Sequence, residues 1–273
     1  MAAELTQDTP IVEAEATPWE PPMPPTDLIF DDGEPLESNR HRIAMNVLIA
    51  ATHVALAERD DYFTGGNMFI YFSSEQARNR DFRGPDFFAV LDVDGSQERQ
   101  GWVVWEEGGR YPDVIVELMS PSTAREDQVT KKRIYERVFS TRDYFVYDPF
   151  APQSLQGWHL GGQGYEPLAK SDRGWLWCES LGLWLGIWEG TIQRETAPWL
   201  RFFTPEGDLL LLPEEQARIE SQRAEAESQR AEAESQRAEA ESQRAEAERQ
   251  RAEAALAELA QLKAQLRQQG IEP

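Results

Sequence analysis

Two residue types that anchor many active sites are scarce in this 273-residue chain: it has one cysteine, Cys178, and three histidines. One cysteine excludes an internal disulfide framework and suits a reducing cytoplasm. His41, His53 and His159 stand at no zinc-ligand spacing and form no convincing triad with a serine. No stretch approaches the roughly 20 apolar residues of a membrane span, and no basic start leads into a signal-type apolar core. These absences predict a soluble cytoplasmic protein with no membrane partner. Basic residues are also short, 27 Lys and Arg against 49 Asp and Glu, a net charge of −22. From residue 213 to the end there are 14 acidic and 9 basic residues, so the rest of the chain carries −17. The basic stripe of a protein that grips long duplex DNA through its phosphates is missing. Only a divalent cation or the local cluster Lys131, Lys132, Arg133, Arg137 and Arg142 could offset the repulsion.

What is present divides the chain in three. Residues 1–26 are proline-rich and acidic with little apolar periodicity, which predicts disorder because too little surface can be buried. Residues 27–212 read as one folded domain. Its first helix is expected over 37–58, capped near Ser38 or Asn39, with Ile43, Val47, Ala50, Ala51, Val54 and Ala55 at helical spacing. Short β-branched and aromatic runs predict strands at 67–72, 87–93, 101–105, 114–118 and 144–147, with Asp94-Gly95 as a hairpin-type turn between the second and third. A second helix is expected over 122–139, with Val129, Ile134 and Val138 toward the core, and several antiparallel strands over 154–212. This is an α/β (α+β) domain with a central mixed sheet flanked by helices.

Residues 213–273 differ in kind. From Glu220 the unit Glu-Ser-Gln-Arg-Ala-Glu-Ala repeats unchanged through Ala247. Alanine and glutamate favour a long helix, and the seven-residue period fits a coiled coil. One seam runs through Ala224, Ala231, Ala238, Ala245, Ala252, Leu259 and Leu266, beside Ser221, Ser228, Ser235, Ser242 and Leu256. Ala and Ser bury little area, so a solvated single helix and a homo-oligomer joined through the tail both stay open.

The chemistry-bearing residues cluster in the middle. Cleaving a phosphodiester requires charge neutralisation, an activated water and a stabilised leaving group, all of which a carboxylate-held divalent cation can supply. A lysine beside it can orient or deprotonate the water. Pro85-Asp86 opens one apolar strand. Pro112-Asp113-Val114-Ile115-Val116-Glu117-Leu118-Met119-Ser120-Pro121-Ser122 follows, then Lys131 and Tyr135, then Tyr144-Phe145-Val146-Tyr147-Asp148-Pro149. This ordered set resembles the Uma family, restriction-endonuclease-like proteins of the PD-(D/E)XK nuclease superfamily, over about residues 27–213. The resemblance implies a restriction-endonuclease-like core and a metal-dependent endonuclease acting on nucleic acid, DNA above all. It implies Mg²⁺ or Mn²⁺ held by Asp86 and Glu117. The superfamily lysine usually lies two residues after the acidic residue, where this chain has Met119; the resemblance places it at Lys131, on the following helix.

Plainer readings compete. Asp86 and Asp113 both follow proline, an ordinary turn signal, and Asp113 can simply start the strand that carries Glu117. Glu117 is more telling, because a carboxylate in a continuous apolar strand must be paired or metal-bound. Lys132 could take the place of Lys131, and Ser120 and Ser122 read as helix caps. Glu37 and His41 are further candidates for the same site. Asp92-Val93-Asp94-Gly95 lacks the later ligands of a calcium loop, and Gly161-Gly162-Gln163-Gly164 lacks the lysine of a phosphate loop. The rival function is a catalytically silent interaction module that assembles through its helical tail; a glycosidase with paired carboxylates ranks below both.

Overall fold

The computed structural model describes residues 23–30, 38–79 and 83–268. Residues 1–22 of the leader expected to be disordered therefore lie outside it. The chain divides into two units, one ending at Leu210 and one beginning at Leu211.

The first unit has the expected α/β character and is built on a six-stranded mixed sheet. Its strands are β1 (Tyr62–Gly65), β3 (Phe87–Leu91), β5 (Val114–Leu118), β6 (Asp143–Asp148), β7 (Ala151–Gly161) and β8 (Gly164–Pro167), in that spatial order. Every neighbouring pair is antiparallel except β5 and β6, which run parallel. A parallel pair needs a crossover, and the helical segment 126–139 supplies it. β3 and β5 are buried at every residue, as apolar runs without alternation require. Helix α1 (Asn39–Ala55) is capped by the Ser38 side chain, which accepts from the His41 amide, and it buries Ile43, Ala44, Val47, Leu48 and Ala51. The short strands β2 (Ile70–Tyr71) and β4 (Trp102–Val103) pair parallel, with helix α2 (Ser74–Arg78) between β2 and β3 in the chain. β9 (Leu176–Cys178), β10 (Leu183–Ile192) and β11 (Glu195–Phe203) form an antiparallel sheet in the region where several such strands were expected.

Two expectations are corrected. Asp94 does make a turn, its carboxylate accepting from the Ser96 amide at 2.9 Å. The flanking strands do not form a hairpin, because β3 pairs with β1 and β5 while β4 pairs with β2. The second correction concerns segment 126–139. Val129 and Val138 were expected in the core; they are 63% and 44% exposed. The buried residues are Asp127, Tyr135 and Phe139, with Lys131 largely buried between them. The expected face was misassigned: at about 100° per residue Val129 and Val138 lie roughly 180° apart, whereas 127, 131 and 135 fall within about 80° on one side. Glu126–Lys131 and Tyr135–Phe139 are π-helical, joined by one α-helical turn at Lys132–Ile134.

In the second unit, Pro213–Gln268 is a single helix of 56 residues, about 84 Å long at ~1.5 Å per residue. Proline at its first position loses no needed hydrogen bond. The Glu215 carboxylate reaches back to accept from the Leu212 amide at 2.8 Å, half of a capping box. Leu256, Leu259 and Leu262 are exposed along it.

Candidate active site

Strand register places the first two candidates side by side. Phe87 on β3 pairs with Val116 on β5, so Asp86, one residue before β3, falls opposite Glu117. The Leu118 amide donates to Asp86 Oδ2 at 2.8 Å, pinning that carboxyl across the strand pair. Glu117 is fully buried and points to the face covered by segment 126–139. The Tyr135 hydroxyl donates to Glu117 Oε1 at 2.7 Å, and Lys131 Nζ donates to Oε2 at 3.1 Å. Asp86, Glu117, Lys131 and Tyr135 thus come together from two strands and the crossover helix.

A further acidic residue stands here that the sequence reading missed. Asp127 is 1% exposed, and its Oδ1 lies 2.8 Å from Lys131 Nζ, although no donor is aligned with it well enough for a hydrogen bond. Its backbone is fixed at both ends, its amide donating to the Thr123 carbonyl at 3.0 Å and its carbonyl accepting from the Tyr144 hydroxyl at 2.8 Å. The signal for it was the spacing of four that runs Asp127, Lys131, Tyr135, Phe139.

The electrostatics follow from crowding carboxylates into a dry place. Burial pushes the Asp86 carboxyl well above the aspartate range, and the Glu117 charge pushes it further, against Lys131 and the Leu118 amide. Burial also raises Glu117; Lys131 and the Tyr135 hydroxyl oppose this, while Asp127 adds to it. A simple ion pair would lower its carboxylate, so here desolvation and like charge outweigh the single lysine. Burial works against the Lys131 charge, but Glu117, Asp127 and Asp86 together overcome it and hold the ammonium protonated far above the usual lysine value. Tyr135 is likewise raised, by burial and by Glu117, so its hydroxyl remains a donor.

Three carboxyl groups facing one ammonium leave two negative charges unbalanced when all are ionised, the amount a divalent cation carries. Among the described residues no group of three or more His, Cys, Asp or Glu side chains stands where it could hold a metal ion. Two carboxylates with open positions are the donor type that suits a cation keeping several waters, and Asp86 retains a partly exposed edge.

The other candidates are engaged elsewhere. Asp113 Oδ2 accepts from the Leu91 amide at 2.9 Å and from Arg110 at 3.1 Å, which clamps the start of β5 at the end away from Glu117. Lys132 Nζ sits 3.9 Å over the Trp158 ring and does not compete with Lys131. His41 is buried, its Nδ1 2.8 Å from Ser38 Oγ and its Nε2 3.3 Å from the Met119 carbonyl at the end of β5. Ser120 and Thr123 exchange bonds, each side chain accepting from the other's amide at 3.3 and 3.0 Å, as caps do. Glu37 lies outside the described residues.

A family model described as "Uma2: Putative restriction endonuclease" matches residues 17–193, more than half of the chain. A crystal structure described as a putative nuclease belonging to DUF820, from Anabaena variabilis ATCC 29413, aligns at 14% identity with a TM-score of 0.40. It covers 58% of this chain and 86% of the other. No curated protein matches.

Proposed function

The chain belongs to the Uma2 family of restriction-endonuclease-like proteins, and we propose that it is a metal-dependent nuclease that hydrolyses phosphodiester bonds at the cluster of Asp86, Glu117 and Lys131. One observation supports this reading: two carboxylates on neighbouring strands are opposed by register, and the second is bonded to a buried lysine from the crossover helix. Asp86 and Glu117 would hold Mg²⁺ or Mn²⁺, which supplies charge neutralisation and an acidified water. Tyr135 fixes the Glu117 carboxylate in one orientation. Lys131, held protonated, does not take a proton from the attacking water. It donates toward the water and offsets charge that develops on the phosphate oxygens.

The substrate side of the proposal rests on the family and on little surface charge. Of the local basic cluster, Lys131 is committed inside the site and Lys132 to Trp158, leaving Arg133, Arg137 and Arg142 exposed. Few phosphate contacts give weak binding with a shallow salt dependence. The test is cleavage of plasmid and single-stranded DNA with Mg²⁺, with Mn²⁺ and with EDTA. Wild type should cleave only with metal, and Asp86→Ala and Lys131→Ala should each lose about 100-fold or more. Undiminished cleavage by both variants would remove this mechanism.

A further inference from the structure

We propose that Asp127 is a positioning residue: its buried carboxylate, four residues before Lys131 on the crossover segment, holds the Lys131 ammonium in place against Glu117. The inference rests on the nuclease reading of the cluster for its consequence, and on geometry alone for its physical content.

A lysine on the same strand as its carboxylate is placed by the pleat of the sheet. Lys131 stands instead on the crossover helix and reaches the site through four flexible carbons. A lysine side chain has many rotamers, so one contact to Glu117 at 3.1 Å leaves its direction loosely set. Asp127 adds a second point, 2.8 Å from Nζ. The Asp127 backbone that carries it is bonded to Thr123 and to the Tyr144 hydroxyl.

Neutralising Lys131 does not require Asp127, since Glu117 already does so. A second buried carboxylate adds repulsion to Glu117 and opposes folding at this spot. Its value is directional. The hydrogen bond to Glu117 and the Asp127 charge 2.8 Å away together limit where the ammonium sits. A spacing of four keeps 127, 131 and 135 within about 80° on one side of the segment, so Asp127 reaches Lys131 while Lys131 and Tyr135 reach Glu117.

The test uses full-length protein carrying ¹³C-labelled lysine; the chain has only Lys131, Lys132, Lys170 and Lys263, so the Lys131 Cε signal can be assigned. Wild-type Lys131 Cε should be ordered, Asp127→Asn should make it as mobile as the tail residue Lys263, and Glu117→Gln should leave it ordered. In cleavage assays Asp127→Asn should lower kcat roughly 10- to 100-fold with KM within about two-fold. In a Lys131→Ala background it should lower the rate further by less than about two-fold. An Asp127→Asn chain with Lys131 still ordered overturns the proposal. So does loss of order in Glu117→Gln, which does not depend on the Asn variant folding. Multiplicative losses in the double variant overturn it too, since Asp127 would then act independently of Lys131. If wild type cleaves nothing, the nuclease reading fails while the lysine order still decides the positioning claim.

Discussion

Replacing Asp86 with asparagine should make the metal-free protein more stable while abolishing its activity. In the structure Asp86 Oδ2 accepts one bond from the Leu118 amide, and an asparagine oxygen can accept the same bond. What the substitution removes is a carboxyl that burial and the neighbouring Glu117 charge both disfavour. The variant should therefore unfold at a measurably higher urea concentration than wild type at pH 8. The sign with pH is fixed by the direction of the shift. A carboxyl raised in the folded state binds its proton more tightly folded than unfolded. It therefore does not penalise folding below the ordinary aspartate value of 3.8, and the penalty grows as pH climbs from there through the raised value. The asparagine chain should match wild type near pH 4 and exceed it increasingly toward pH 8. Urea unfolding in EDTA, followed by tryptophan fluorescence, reports the first unit alone, because no tryptophan lies beyond Trp199. Mg²⁺ should then raise the midpoint of wild type and leave that of the variant unchanged. An Asp86→Asn protein less stable than wild type at pH 8 in EDTA would refute the view of this site as a charge-strained pair.

Tyr135→Phe removes the donor 2.7 Å from Glu117 Oε1 and leaves a buried carboxylate oxygen unpaired. It should cost about 1–3 kcal/mol in the same unfolding assay, and a loss below measurement would mean the hydroxyl does not hold Glu117. Val129→Lys lies on the exposed side of the 126–139 row and should change stability by less than about 0.5 kcal/mol. A loss of several kcal/mol there would mean that Val129 is buried.

Much of the candidate site could be read without coordinates because two of its members break local rules. Glu117 interrupts an apolar strand that is otherwise buried throughout, and such a carboxylate must have partners. Pro85-Asp86 marks a strand start whatever its role. The π winding was not readable, and placing both Val129 and Val138 in the core failed because nine residues at about 100° each set them on opposite sides of a helix. Asp127 was missed although it stands four residues before Lys131, on the same side. Asp113 resembled Asp86 by sequence alone, and the bonds to Leu91 and Arg110 separate their roles.

By itself the sequence determined the α/β class, the buried central strands and the long repetitive helix, because these follow from local periodicity and helix propensity. It also nominated Asp86, Glu117 and Lys131. Only the tertiary structure decided that β3 lies antiparallel to β5 with Phe87 against Val116, which is what brings Asp86 to Glu117. Only it decided that the crossover helix turns Lys131 rather than Lys132 toward them. Register and helix rotation are set by long-range packing, and no short stretch of sequence carries that information.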